Sequence, residues 1–187
     1  MASGTARVLG IDCSPTGPGR TGTALEAVLD AATEGGAETK LVHLGGEDPT
    51  TVEQAVEAML GANAFVFGSP MYRATFASPF KQLVDSVPRG MWGETEAPLT
   101  GRAAALVATG ASDHHFLGLG RMRDVLVDFF ATHVVSPGLY VSHAGFGEDR
   151  RLLADVAERA RLQGLGLVEL ARAIAASDSL AAVTPQA

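Results

Sequence analysis

Three short polar stretches hold the residue types that could do chemistry. The first runs from Cys13 to Gly22, Cys-Ser-Pro-Thr-Gly-Pro-Gly-Arg-Thr-Gly, with Thr23 directly after it. Its hydroxyls, on Ser14, Thr16, Thr21 and Thr23, donate hydrogen bonds without adding charge, and Arg20 offers a countercharge. A loop of this kind opening a helix suits an anion, because the first N–H groups of a helix point outward and its dipole favours negative charge. The second stretch is Gly68-Ser69-Pro70-Met71-Tyr72-Arg73, which pairs an apolar and aromatic surface with one cation. The third is Thr109-Gly110-Ala111-Ser112, a small-residue turn with backbone N–H groups to offer, followed by His114 and His115. Adjacent histidines diverge on a strand and share no helix face, so they make a poor metal pair. Such residues suit binding and orienting a ligand; no single residue is assigned a catalytic role.

The elements that must hold these stretches follow from periodicity. Arg7–Asp12 is a short apolar strand, and Thr23–Thr33 carries Ala24, Leu25, Val28, Leu29 and Ala32 at helical spacing. Gly35-Gly36 ends that helix. Thr39–Leu44 is a second strand, and Thr50 or Thr51 caps a helix bearing Val52, Ala55, Val56, Met59 and Leu60. Ala64–Phe67 reads as a strand buried on both faces, ending at the second stretch, which reads as a loop. A helix over Ala77–Val87 follows, then an irregular connection over residues 88–101. Ala103–Ala108 is the fourth strand and ends in the third stretch. Leu119–Ala131 reads as a regular helix, Val134–Val141 as the fifth strand, and Arg150–Ala176 as a last helix. Residues 1–5 and the tail after about residue 177 read as loose. This alternation gives an α/β fold in one domain over residues 1–187, a parallel sheet with helices on both faces. Open sheets of that kind bind ligands at the C-terminal ends of their strands, where all three stretches fall.

Two ligand readings compete for the first stretch. Gly17-Pro18-Gly19-Arg20-Thr21-Gly22 matches the dinucleotide fingerprint letter for letter, with Glu47 or Asp48 available to a ribose. Four residues, Cys13 to Thr16, separate it from the strand, whereas the fingerprint should open at the strand end. The hydroxyl-rich loop instead suits a monophosphate such as that of FMN, bound at the switch point between strands one and three. Tyr72 has the shape to pack on a ring while its hydroxyl stays wet.

Composition narrows the classes. Hydrophobic residues make up 47% of the 187 and the formal net charge is -7, which disfavours nucleic acid or an anionic membrane as a partner. The single cysteine, Cys13, permits no intrachain disulfide and fits a reducing cytoplasm. No signal-peptide core or membrane-length apolar run is present in the sequence.

The three stretches together resemble the NADPH-dependent FMN reductases of flavodoxin-like fold. Ser14-Pro15 with Thr21-x-Thr23 looks like that family's phosphate loop, and Gly68–Tyr72 like its second flavin loop. Phe80-Lys81-x-Leu83-x-Asp85 resembles the segment that follows. Gly101-Arg102 and Thr109–Ser112 frame a stretch similar to the third loop. His114 or His115 with Phe116-Leu117 resembles a stretch in the reductases of two-component sulfonate monooxygenases, although helix four shows no sign of the extra residue some of these carry. The resemblance implies a five-stranded parallel sheet in the order 2-1-3-4-5, FMN as cofactor, and NADPH or NADH as hydride donor. It implies Ser14, Thr16, Arg20, Thr21 and Thr23 at the phosphate, and Pro70, Met71 and Tyr72 at the isoalloxazine. Arg73 would meet a phosphate of either cofactor, Thr109, Gly110, Ala111 and Ser112 the pyrimidine edge, and His114 the nicotinamide site. A flavin-dependent monooxygenase would receive the reduced flavin, and the protein would be a homodimer or homotetramer. A quinone or azo reductase with tightly bound FMN, a flavodoxin-like electron carrier, and a regulatory protein that has lost its flavin remain alternatives.

Overall fold

A computed structural model describes residues 5–186; most of the expected lead-in lies outside that range. Strand β1 (Arg7–Asp12) leads to helix α1 (Arg20–Glu34), β2 (Glu38–His43) and α2 (Val52–Leu60). Then come β3 (Ala64–Tyr72), β4 (Thr75–Phe76), α3 (Ser78–Ser86) and β5 (Ala103–Gly110). Helix α4 (Gly118–Asp124) widens into a π-helical turn over Val125–Phe129. The chain ends with β6 (His133–Val134), β7 (Leu139–Ser142), α5 (Ala154–Ala175) and α6 (Asp178–Ala181).

The sheet runs β2-β1-β3-β5-β6, with β7 also on β5 beyond β6. Every pairing among these strands is parallel. That is the expected order 2-1-3-4-5, with the fifth position split in two. Pro137 interrupts it, having no N–H for the ladder, and Gly138 (φ 89°) turns the chain back to the edge. Chain reversal beside β1 puts the switch point between β1 and β3. This order is the flavodoxin one and not that of dinucleotide domains, which disposes of the fingerprint reading of Gly17–Gly22.

Alternation along the strands builds two hydrophobic layers. Val8, Val66, Ala105 and Val107 pack under α1 and α5. Leu9, Ile11, Phe65, Phe67 and Leu106 pack under α2, α3 and α4, where Phe80 sits edge-on to Phe67. Thr51 caps α2 in a reciprocal box with Gln54, as one of the two expected caps.

Four expectations need correction. The stretch from Gly68 to Tyr72 is strand, not loop: β3 runs on through it, buried except at Tyr72, and folds back through Arg73-Ala74 onto β4. Helix α1 starts at Arg20, not Thr23; Thr23 Oγ1 donates back to the Gly19 carbonyl from within the helix. Helix four is not regular. Its buried residues Met122, Leu126 and Phe130 fall four apart, wider than the 3.6 of an α-helix, and the π turn keeps them on one side. The tail expected to be loose forms the one-turn α6, capped by Ser177, with the Leu180 carbonyl on His133 Nε2 at 2.8 Å.

Candidate functional site

The C-terminal ends of β1, β3 and β5 open into a cleft of about 380 Å³ at the switch point. Its walls come from all three predicted stretches: Ser14, Thr16, Arg20 and Thr21; Pro70, Met71 and Tyr72; Thr109, Gly110 and Ala111. Gly19 and His143 complete it.

The floor of the first stretch is the start of α1. Gly19 has no side chain to cap the helix, and no carboxylate belongs to its first turn. The first backbone bond there is Thr23 N–H to Gly19 O, so the N–H groups of Arg20, Thr21 and Gly22 come before the ladder begins. An uncapped start of a 15-residue helix, facing a cleft with hydroxyls, favours an anion. Ser14 Oγ and Thr16 Oγ1 lie 3.4 Å apart at the rim. Buried Thr21 and Thr109 share a hydroxyl bond of 2.7 Å that ties the first stretch to the third. One hydroxyl donates to the other, which leaves the second one's proton for a ligand. The Arg20 guanidinium stacks 5.7 Å from the Phe146 ring centroid, a cation held at the mouth.

The second and third walls are rigid. Ser69 Oγ accepts the Ala77 N–H at 2.9 Å and ties the end of β3 to the start of α3. Met71 is buried, whereas Tyr72 is 52% exposed and supplies the one phenol or phenyl ring on the cleft among its lining residues, alongside the imidazole of His143. Tyr140 lies under the third wall: its hydroxyl donates to the Ser112 carbonyl at 2.6 Å, and burial raises its pKa. A Cβ at Gly110 would meet that hydroxyl at 2.1 Å, so any larger residue there would have to displace Tyr140.

Four expected residues are not on the cleft wall. Thr23 is turned into its own helix. Arg73 sits at the hairpin turn with φ 52°. Ser112 is engaged through its carbonyl, and His114 is exposed on a 3-10 turn over Asp113–His115. His143 and Asp12 were missed. Both are polar residues at or just beyond a parallel strand's C-terminal end, the rule that found the others. Asp12 is fully buried, and burial pushes its carboxyl up, against the Ser14 N–H and His43, which pull it down. Cys13 is buried, and burial raises its thiol well above the usual range.

A larger groove of about 640 Å³ lies across the 111–117 segment, lined by Phe116, Leu117, Leu153, Arg123 and Arg159 among others. Its two cations are engaged: Arg123 donates to the Pro137 carbonyl, and Arg159 pairs with Asp155. The smaller cleft therefore carries the free donors. Among the described residues no helix is long and apolar enough to cross a membrane.

Comparison with known proteins gives the family and the fold. The model of the NADPH-dependent FMN reductase family matches residues 6–146. An NADH-dependent FMN reductase of Pseudomonas putida, SfnF, is 32% identical over 108 residues, 58% of this chain and 53% of that protein. A second from the same organism, SfnE, is 31% identical over 116 residues, covering 62% and 59%. The matched part of the chain thus spans only about half the length of these relatives. Among solved structures, the apo form of the NADH:FMN oxidoreductase EMOB superposes with a TM-score of 0.71 at 21% identity, covering 94% of each chain. A WrbA-like flavodoxin of Agrobacterium tumefaciens gives 0.70 at 18%, covering 90% of this chain and 99% of that one. These likenesses establish the flavodoxin-like fold.

Proposed function

This chain belongs to the NADPH-dependent FMN reductase family, and we propose on that premise that it passes a hydride from NADPH or NADH to FMN held in the switch-point cleft. One observation carries the reading: the uncapped start of α1, the hydroxyls of Ser14, Thr16 and Thr21, and Arg20 meet in one cleft with the ends of β3 and β5. FMN, when bound, supplies the hydride-accepting chemistry. The protein's residues bind and orient. Ser14, Thr16, Thr21 and the first N–H groups of α1 hold the phosphate, and Arg20 balances its charge. Pro70, Met71 and Tyr72 line the ring. The backbone of Gly110 and Ala111, on the cleft wall, would offer N–H donors to the pyrimidine edge of a bound flavin, where they would stabilise the charge that builds on reduction. Among the cleft's lining residues Tyr72 is the one phenylalanine, tyrosine or tryptophan, which favours a reductase over a carrier that would sandwich its flavin between two such rings. The reduced flavin goes to a flavin-dependent monooxygenase, in the cytoplasm, and the protein acts as a homodimer or homotetramer.

The test is the visible spectrum of the purified protein, followed by oxidation of NADPH and of NADH with and without added FMN. A colourless protein whose turnover requires FMN supports a reductase that treats FMN as substrate. Oxidation only with a quinone or dye, by a yellow protein, replaces the proposal with a tightly bound flavin serving another acceptor. No oxidation under any of these conditions sinks it.

A further inference from the structure

Asp12 is an odd residue to find behind an anion site. It is fully buried at the end of β1, and its Oδ2 would lie 3.3 Å from a Cβ built on Gly22, in the first turn of α1. A bare carboxylate in that place repels a phosphate and has lost its own hydration. Both of its oxygens are occupied instead. Oδ1 accepts the Ser14 N–H at 2.9 Å, closing a side-chain turn over the first residues of the loop. Oδ2 meets His43 Nδ1 at 3.1 Å, from the end of the neighbouring β2. His43 is part-exposed and does not line the cleft. A second contact braces the loop from the same side: buried Gly17, at φ 80°, packs backbone on backbone against Gly46, and a Cβ at Gly45 would meet the Ser14 carbonyl at 2.3 Å. The β2–α2 connection therefore forms a backing for the β1–α1 loop, and the Asp12–His43 pair is its polar fastening.

We propose that Asp12 and His43 are positioning residues for the flavin phosphate, acting through Ser14 and touching no ligand. Asp12 fixes the loop so that the Ser14 and Thr16 hydroxyls face the cleft, and His43 holds Asp12 through its second oxygen. The inference rests on the phosphate reading of the cleft. It predicts an effect confined to ligands that carry a phosphate.

The experiment compares FMN with riboflavin, which lacks the phosphate, by quenching of flavin fluorescence in the full-length protein. Asp12→Ala should weaken FMN binding about tenfold, as expected for losing a charge-assisted hydrogen bond, and leave riboflavin binding unchanged. Asp12→Asn keeps an acceptor for the Ser14 N–H and should recover most of the loss. His43→Ala, at a part-exposed position that tolerates truncation, should weaken FMN about threefold, again without changing riboflavin; it decides the matter if Asp12→Ala does not fold. Equal losses for both flavins, wild-type FMN affinity in Asp12→Ala or His43→Ala, or no recovery in Asp12→Asn would overturn the proposal. A wild-type protein that binds FMN no more tightly than riboflavin instead removes the phosphate reading itself, and that is read before any variant is made.

Discussion

At Asp12 the folded protein keeps a carboxyl group out of water and so holds its proton more tightly than the unfolded chain does. Burial is the largest cause of the rise from the ordinary value of 3.8. For a raised pKa, the stability gained from the bound proton is fully present below the unfolded value and is lost as pH rises through the folded one. Asparagine carries no such term. The melting temperature of Asp12→Asn relative to wild type should therefore climb as pH rises through the carboxylate range and level off above it. Melts from about pH 3 to about pH 8 would check this; parallel curves would mean that Asp12 stays hydrated. Cys13, the next residue, gives a simpler expectation. Its thiol is buried, and burial together with the Asp12 charge keeps it protonated, so it should resist a thiol reagent in the native protein and react at once in denaturant. Neither environment was fully legible in the sequence. The sequence showed Cys13 as a lone cysteine next to a strand end, but not the burial that keeps its thiol protonated. Asp12 read as an ordinary strand terminus, because its partner His43 stands on another strand. Thr23 read as the first residue of the helix, because it opens the apolar stripe, but three further residues joined the helix ahead of it and left the true start at Gly19 without a cap.

The same gap between local pattern and tertiary constraint recurs in the elements. The hairpin between β3 and β4 turns on Arg73 and Ala74, with φ of 52° and 63°. Two left-handed residues make the turn whose twist suits a tight hairpin, and Asn-Gly is its preferred sequence. A side chain in that region costs about 1–2 kcal/mol per residue, and nothing in Arg-Ala announces the turn. That is why Gly68–Arg73 read as loop, while the pairing of Met71 with Phe76 carries the strand onward. Ala74→Gly should relieve the strain at some cost in chain entropy and raise stability by up to about 1 kcal/mol. Urea midpoints measure it; a lower midpoint would show that the alanine methyl packs better than the turn suffers. Helix four taught the opposite lesson. Its existence was legible, but the widening at Val125–Phe129 was not, because only the two consecutive spacings of four from Met122 through Leu126 to Phe130 mark it.

On the scale of the whole molecule the sheet order was legible because each strand carried its own burial pattern and each crossover its own helix. What the reading of a single fifth strand passed over was its split at Ser136-Pro137-Gly138, and no strand could reveal the tail returning as α6. The surface poses the remaining question. Trp92 is 83% exposed, Leu117 73%, Phe116 55% and Phe129 48%, a large apolar exposure for a lone chain. The Arg89 guanidinium sits 3.6 Å from the Phe129 ring centroid and 5.7 Å from that of Trp92, so this aromatic pair is fastened before any partner arrives. Rigid aromatic and arginine groups are what interface centres favour, since little rotamer freedom is left to lose. The proposed oligomer accounts for them if Trp92 lies within the contact. Light scattering should then give a mass of two or four chains of 19.3 kDa. The protein has one tryptophan, so its emission reports that position alone: it should be blue-shifted in the assembly and move to the red as dilution lowers the mass. A multi-chain mass with emission typical of a wet indole would move the interface to Phe116 and Leu117 at the mouth of the second groove. A mass of one chain at every concentration would remove the oligomer altogether and leave Trp92 free for a different protein.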